Sequence, residues 1–218
     1  MSINKSPLGI VALCWSLLLA ASTAMAGSEP VPPLEGFTFT TELAMTVLVD
    51  TTGNRDYEFF YAPGTIDVPR HFRLYATPEG LTDENIDAFI EEFNRIGFRG
   101  CVLEDVSQEQ LDKFIQECPD LERLSVETNS ASDLTTIGTL THLRTLDIVG
   151  SGFSDLSPLT ELAELEWLYL SGAKSLVDLS PLKEMTRLRE LTLKACPSVS
   201  DLSPVGELVN LERLVVSR

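Results

Sequence analysis

Residues 154–218 read SDLSPLTELAELEWLYLSGAKSLVDLSPLKEMTRLRELTLKACPSVSDLSPVGELVNLERLVVSR. One nonapeptide recurs in this stretch, as SDLSPLTEL (154–162), VDLSPLKEM (177–185) and SDLSPVGEL (200–208), with a weaker copy, SDLTTIGTL, at 132–140. Alternating with it is a pattern L-x-x-L-x-L, carried by Leu121/Leu124/Val126, Leu143/Leu146/Ile148, Leu165/Leu168/Leu170, Leu188/Leu191/Leu193 and Leu211/Leu214/Val216. The first members of these triplets stand 22, 22, 23 and 23 residues apart. Self-similarity at such a period marks stacked supersecondary units.

The spacing fixes what each unit does. Residues two apart lie on one side of a strand, so both apolar residues of L-x-L enter the core. The DLSPL segment then turns the chain back along the opposite side, where Pro158, Pro181 and Pro204 disfavour a long helix. Leu159, Leu182 and Val205 follow them and face inward again. No unit can bury its apolar face alone, so stacking creates the core. The recurring Asp155, Asp178 and Asp201 invite a reading as a calcium ladder. Each repeat offers one carboxylate there, whereas calcium takes six to eight oxygens. Their fixed place before Leu-Ser-Pro suits turn hydrogen bonding.

From about Ile96 to the C-terminus the pattern resembles the leucine-rich-repeat family, in its short bacterial internalin-like type with an N-x-I-x-D-L-x-P-L second half. The fold class expected is therefore α/β repeat: a curved leucine-rich-repeat solenoid with a parallel β-sheet on its concave face and a small N-terminal β-hairpin/helical cap. The resemblance also implies a ladder position after each strand, usually Asn or Cys, where an Asn satisfies backbone groups of the turn. Asn129 and Cys196 fill it here, but Ser151 and Ala173 stand in the repeats between. The ladder is expected to be incomplete, with water or neighbouring hydroxyls supplying the missing bonds.

Upstream the repeats degenerate. Phe98, Cys101 and Leu103 fill the next three core slots, and Phe72 and Leu74 suggest a longer unit before them. Ser107 and Gln110 have capping-box spacing, and Leu111, Phe114, Ile115 and Cys118 form a helical stripe. Ile86, Phe89, Ile90 and Phe93 give a helix from about Thr82 the same stripe. Residues 37–61 alternate as strand, a turn around Gly53, and strand again at 57–61. This stretch is too short for its own core and suits a cap on the first repeat; a separate ligand-binding lobe is the alternative. The domain expectation is a signal peptide at 1–26, a linker at 27–36, a β cap at 37–68, degenerate repeats at 69–117 and regular repeats at 118–218.

The N-terminus supplies that leader: Lys5, an apolar run over 8–21, and Ala24-Met25-Ala26 as an A-x-A site. An uncleaved anchor is the rival, although the run is short for a membrane span. Cys14 follows Leu13, too bulky for a lipobox. The expected location is periplasmic or secreted, without stable membrane insertion after cleavage. The net charge is −17, a surface that repels nucleic-acid phosphates and anionic headgroups. No nucleic-acid partner is expected.

Export permits disulfides, yet the register puts Cys101 and Cys118 in core slots and Cys196 in the ladder slot. Buried thiols are the main expectation, and a Cys101–Cys118 bridge the alternative. His71 and His142 stand near no acid or thiol pattern of a catalytic triad, and nothing has zinc-ligand spacing. No catalytic residue, metal ligand or cofactor is expected.

In each strand the residues flanking the buried leucines point out of the sheet. In register they form three rows: Gly100, Arg123, Thr145, Trp167, Glu190, Arg213; Val102, Ser125, Asp147, Tyr169, Thr192, Val215; and Glu104, Glu127, Val149, Ser171, Lys194, Ser217. Trp167 and Tyr169 stand mid-face, and Arg123, Glu127, Asp147, Glu190 and Lys194 surround them. Exposed aromatics among charges have the composition of a binding hot spot; the structural alternative is that Trp167 packs flat over adjacent rungs. The expected function is a non-catalytic exported binding protein engaging a protein, a peptide or a glycan through this face. The alternatives are an envelope assembly protein, self-associating as a homodimer through its C-terminal end, and an enzyme with its site in the N-terminal segment.

Overall fold

The structure, a computed structural model, describes residues 36–50, 57–69, 73–78 and 80–217. The expected leader, the linker as far as residue 35, the turn around Gly53, His71 and Phe72 lie outside the described residues. The described chain begins with β1 (Gly36–Asp50), which pairs antiparallel with β2 (Tyr57–Pro69) along one edge and with β3 (Arg73–Pro78) along the other. β2 thus runs eight residues beyond the expected end at Tyr61. The register shifts between the pairs Thr41↔Gly64 and Met45↔Ala62, where Pro63 stands without an N–H to offer the ladder. β2 continues through Pro63 and Gly64 past this irregularity.

β3 turns the hairpin into the solenoid. Tyr75 and Ala76 pair parallel with Gly100 and Cys101 of β4 (Gly100–Glu104). Then follow β5 (Arg123–Glu127), β6 (Thr145–Val149), β7 (Trp167–Ser171), β8 (Glu190–Lys194) and β9 (Arg213–Ser217), each parallel to the one before. Among the described residues the result is one sheet of order β2-β1-β3-β4-β5-β6-β7-β8-β9, parallel from β3 onward. It is an α/β leucine-rich-repeat solenoid, with the parallel sheet lining its concave face.

The convex side changes character along the chain, and the apolar period explains why. Between β3 and β4 lies α1 (Ile86–Ile96), and between β4 and β5 lies α2 (Gln108–Glu117). Their stripes have the 3.6-residue period of an α-helix, and Ile86, Phe89, Ile90 and Phe93 pack with Leu111, Phe114 and Ile115. The Phe93 ring meets that of Phe114 edge-on at 5.2 Å. Ser107 caps α2 as its spacing requires: its Oγ accepts from the Gln110 N–H at 3.2 Å, and Gln110 Oε1 accepts from the Ser107 N–H at 3.0 Å. α1 ends at Gly97, with φ 83°, whose N–H returns to the Phe93 carbonyl; an L side chain strains that conformation.

After β5 the apolar residues recur every third position instead: Leu134, Ile137, Leu140, Leu143; Phe153, Leu156, Leu159, Leu162, Leu165; Leu176, Leu179, Leu182, Met185, Leu188. In a 3-10 turn, i and i+3 eclipse, so one such row faces the core. The return segments accordingly form short 3-10 turns at Ser157–Glu161, Ser180–Glu184 and Ser203–Glu207, with proline in their first positions. The aspartate before each turn makes the expected local bond: Asp155, Asp178 and Asp201 accept from the N–H of Ser157, Ser180 and Ser203, each at 2.8 Å. All of these apolar residues belong to one core that runs from Met45 of β1 to Leu208. At roughly 1.5–3 kcal/mol per fully buried Leu or Ile, each rung contributes several such residues.

The expected ladder needs correction. Asn129 is exposed, and Thr128 before it is buried and holds the turn. Its hydroxyl donates to the Val106 carbonyl at 2.6 Å and accepts from the N–H groups of Ser130 and Ala131 at 3.0 and 3.3 Å. Two turn geometries occur along the stack. Where the residue after the strand is left-handed, as at Asp105 (φ 55°), Gly172 (φ 79°) and Ala195 (φ 49°), the next residue, Val106, Ala173 or Cys196, is buried. At Thr128 and Gly150 the backbone is not left-handed, and these residues are themselves buried. Ser151 Oγ lies 3.3 Å from Asn129 Oδ1 on the exposed side.

The three cysteines among the described residues are free and buried. Burial pushes the Cys101 thiol well above its usual range and the Cys118 thiol up to about 12. Cys196 Sγ reaches the Lys194 carbonyl at 3.3 Å.

Candidate functional site

Strand register brings all three outward rows together in the expected order. Gly100, Arg123, Thr145, Trp167, Glu190 and Arg213 are successive partners across β4 to β9. The same pairings align Val102, Ser125, Asp147, Tyr169, Thr192 and Val215, and then Glu104, Glu127, Val149, Ser171, Lys194 and Ser217. The alternation of burial in β5, β7 and β8, with leucine or valine buried and the flanking residues not, sets these rows on the side away from the core.

The seven candidate residues fall into three groups. Arg123 and Asp147, on adjacent strands, approach to 3.7 Å and retain side-chain exposures of only 12% and 26%. Asp147 is the register partner of Tyr169, whose phenol is raised above its usual range first by burial and further by the Asp147 charge, against a hydrogen bond with Ser171 that lowers it. The phenol is therefore protonated at neutral pH and available as a donor. Trp167 and Glu190 are row neighbours, both half-buried. Thr145 stands between Arg123 and Trp167 and is only 8% exposed although it points outward. Neighbouring side chains on the face thus cover it. Glu127 pairs with Glu104 on one side and Val149 on the other, while Lys194 is exposed between Ser171 and Ser217.

The position just before the first row holds Arg99, Glu122, Arg144, Glu166, Arg189 and Glu212, a strict alternation of sign. Arg144 Nη1 lies 3.4 Å from Glu166 Oε1, and Arg189 Nη1 lies 3.6 Å from Glu212 Oε1. The signal was present in the sequence one slot away from the rows. Exposed pairs of this kind contribute about 0–1 kcal/mol each, so they line one rim of the sheet with balanced charge rather than hold the fold.

Among the described residues no group of three or more His, Cys, Asp or Glu is placed to hold a metal ion. His142 is exposed. No described helix is long and apolar enough to cross a membrane.

No protein-family model matches the chain, and no curated protein matches it. Among the solved structures similar to part of it are two internalins. One is an internalin C2 from Listeria monocytogenes, 24% identical, covering 55% of this chain and 51% of its own, with a TM-score of 0.43. The other is a second internalin from that organism, 23% identical, covering 55% of this chain and 34% of its own, with a TM-score of 0.42. The chain thus matches about half of one and a third of the other, and the solenoid assignment stands on the strand register.

Proposed function

We propose that this protein is an exported, non-catalytic binding module whose concave sheet grips another macromolecule, a protein or peptide before a glycan. The observation that carries this reading is the half-buried Trp167–Tyr169 pair on β7, with Asp147 on β6, Glu190 and Lys194 on β8, and Arg123 one strand further on β5. Binding energy concentrates in aromatic and arginine side chains at the middle of a patch, and truncating one costs about 2 kcal/mol or more. A sheet held by a continuous core presents them pre-ordered, which reduces the entropy lost on association. Glu127 and Lys194 lie further out on the third row and serve as the polar surround. The test is a comparison of wild type with W167A/Y169A for an isolated partner: affinity should fall at least 30-fold with the far-UV spectrum unchanged. Full affinity in the double variant would overturn the reading.

A further inference from the structure

Two polar residues are buried among the described residues, Thr128 and Thr145. The fold treats their hydroxyls differently. That of Thr128 donates to the Val106 carbonyl and accepts from the N–H groups of Ser130 and Ala131. Thr145 is 8% exposed. Its N–H donates to the Glu122 carbonyl at 3.2 Å, but no group among the described residues hydrogen-bonds its hydroxyl. Such a group is uncommon, because an unmade bond leaves the desolvation of the hydroxyl uncompensated. Thr145 points outward from β6 in the first row, between Arg123 of β5 and Trp167 of β7. A bound molecule can complete a hydroxyl in that place, as it could not complete one in the core.

Arg123 and Asp147, which approach to 3.7 Å, flank this hydroxyl from β5 and from two residues further along β6. Their charges offset, so an ion entering there is repelled by one as much as it is attracted by the other. A charged group would also leave water at a greater cost than a neutral one. The surroundings offer a donor in Arg123, an acceptor in Asp147 and a hydroxyl that acts as either. A side-chain amide has both functions and no charge. We infer that the Thr145 hydroxyl is a specificity-determining contact that takes the carboxamide of a Gln or Asn in a bound protein segment, while an apolar side chain of that segment rests on Tyr169. This rests on the binding role proposed above. Tyr169 pairs with Asp147, two residues beyond Thr145, so strand spacing and rise put Thr145 and Tyr169 about 8 Å apart. Two residues of an extended segment span about 7 Å, which places the amide and the apolar residue at positions i and i+2. The neighbouring side chains that cover Thr145 turn aside to admit the amide, as side chains at interfaces commonly do.

The experiment uses four acetylated, amidated heptapeptides, Ser-Gly-X-Ser-Phe-Gly-Ser with X as Gln, Glu, Lys or Leu. Their affinity for the full chain is measured by calorimetry at near-physiological salt, which screens the chain's general acidity. The Gln peptide should bind about 10-fold tighter than each of the others, or more, since Glu and Lys bring a charge and Leu leaves the hydroxyl unbonded. T145V removes the hydroxyl and keeps the shape of the side chain. It should weaken the Gln peptide by about 10-fold and leave the other three within about 2-fold. Its urea midpoint should be unchanged or raised, because the lost hydroxyl has no partner to abandon. T145S keeps the hydroxyl and should keep the preference for Gln. Equal binding of the four peptides overturns the inference, as does binding of none. A Gln preference that survives in T145V overturns it too. So does a lowered T145V midpoint with an equal loss for all four peptides, since Thr145 would then hold the fold and select nothing. W167A/Y169A separates this inference from the one beneath it. If it abolishes binding of peptides that show no Gln preference, the concave-face role stands and the amide contact falls. If all four peptides bind it at full strength, the concave-face role itself falls.

Discussion

Gly150 is where the packing of the stack leaves least room, so Gly150→Ala gives the sharpest test of how the rungs fit. A Cβ built there would lie 1.8 Å from the Thr128 carbonyl oxygen and 3.0 Å from its carbon, both rigid backbone atoms. Carbon and oxygen do not approach closer than about 3 Å, so the turns after β5 and β6 must part by roughly 1 Å or more. That movement acts on two bonds at once: the Thr128 N–H to the Val149 carbonyl and the Gly150 N–H to the Ser171 carbonyl, both 2.9 Å. At about 1 kcal/mol for each bond and about 1–3 kcal/mol for overpacking, the loss should be about 3–5 kcal/mol. Two other glycines calibrate the result. Gly172→Ala meets the Gly150 carbonyl oxygen at a tight 3.3 Å and holds φ 79°, and should cost about 1–2 kcal/mol, mainly in left-handed strain. Gly206→Ala meets nothing within 4 Å and should fall within about 0.5 kcal/mol of wild type. Urea unfolding followed by Trp167 fluorescence, one strand from Gly150, reads all three. With a slope near 2 kcal/mol/M, the G150A midpoint should fall by about 2 M. A G150A midpoint equal to that of G206A would refute the account of how the rungs pack.

Further outcomes follow from the same geometry. Ala195 holds φ 49° in the slot where Gly172 holds a similar value, so Ala195→Gly should stabilise the chain by about 1 kcal/mol, read as a raised urea midpoint. The carboxyls of Asp133, Asp155 and Asp201 are held below their usual range by the hydroxyl and N–H of Thr135, Ser157 and Ser203, and that of Asp178 by the N–H and hydroxyl of Ser180. A depressed folded pKa gives stability that is complete above the unfolded value near 4 and is lost as pH falls through the lower folded value. D155N/D178N/D201N keeps an acceptor but does not titrate, so its urea midpoint should fall less than that of wild type between pH 5 and pH 2.5. Cys101 and Cys118, both buried with raised pKa values, should resist a thiol reagent at pH 8 and react on unfolding. Rapid labelling of the native chain would contradict their placement.

Much of this was readable from residue spacing, and the limits have physical causes. Period and strand alternation are strict, so Leu121 to Val216 set the register of five strands and put Trp167 beside Thr145 and Glu190. The capping box at Ser107 was legible because both partners are local. The turn after β5 was not. Whether Thr128 or Asn129 turns inward depends on the backbone conformation of one residue, which is set by the neighbouring rung and not by a local motif. The 3-10 form of the return segments was half visible: prolines excluded a helix, but the i, i+3 row through Phe153, Leu156 and Leu159 emerges only when the whole segment is placed against the core. The continuation of β2 past Pro63 depended on an irregularity in its partner, β1. On the site, the rows are geometry while binding is a property of a partner, and side-chain rows alone carry no name for it.

Site-specific photo-cross-linking tests the central claim, that the concave sheet is the binding surface, most directly. A benzophenone side chain replaces Thr192, next to Tyr169 on the outward row, or Glu161, exposed on a return turn. The account predicts a discrete adduct from Thr192, competed by unlabelled wild type and lost in the W167A/Y169A background, and none from Glu161. Adducts of equal yield from both positions, or from Glu161 alone, would contradict it.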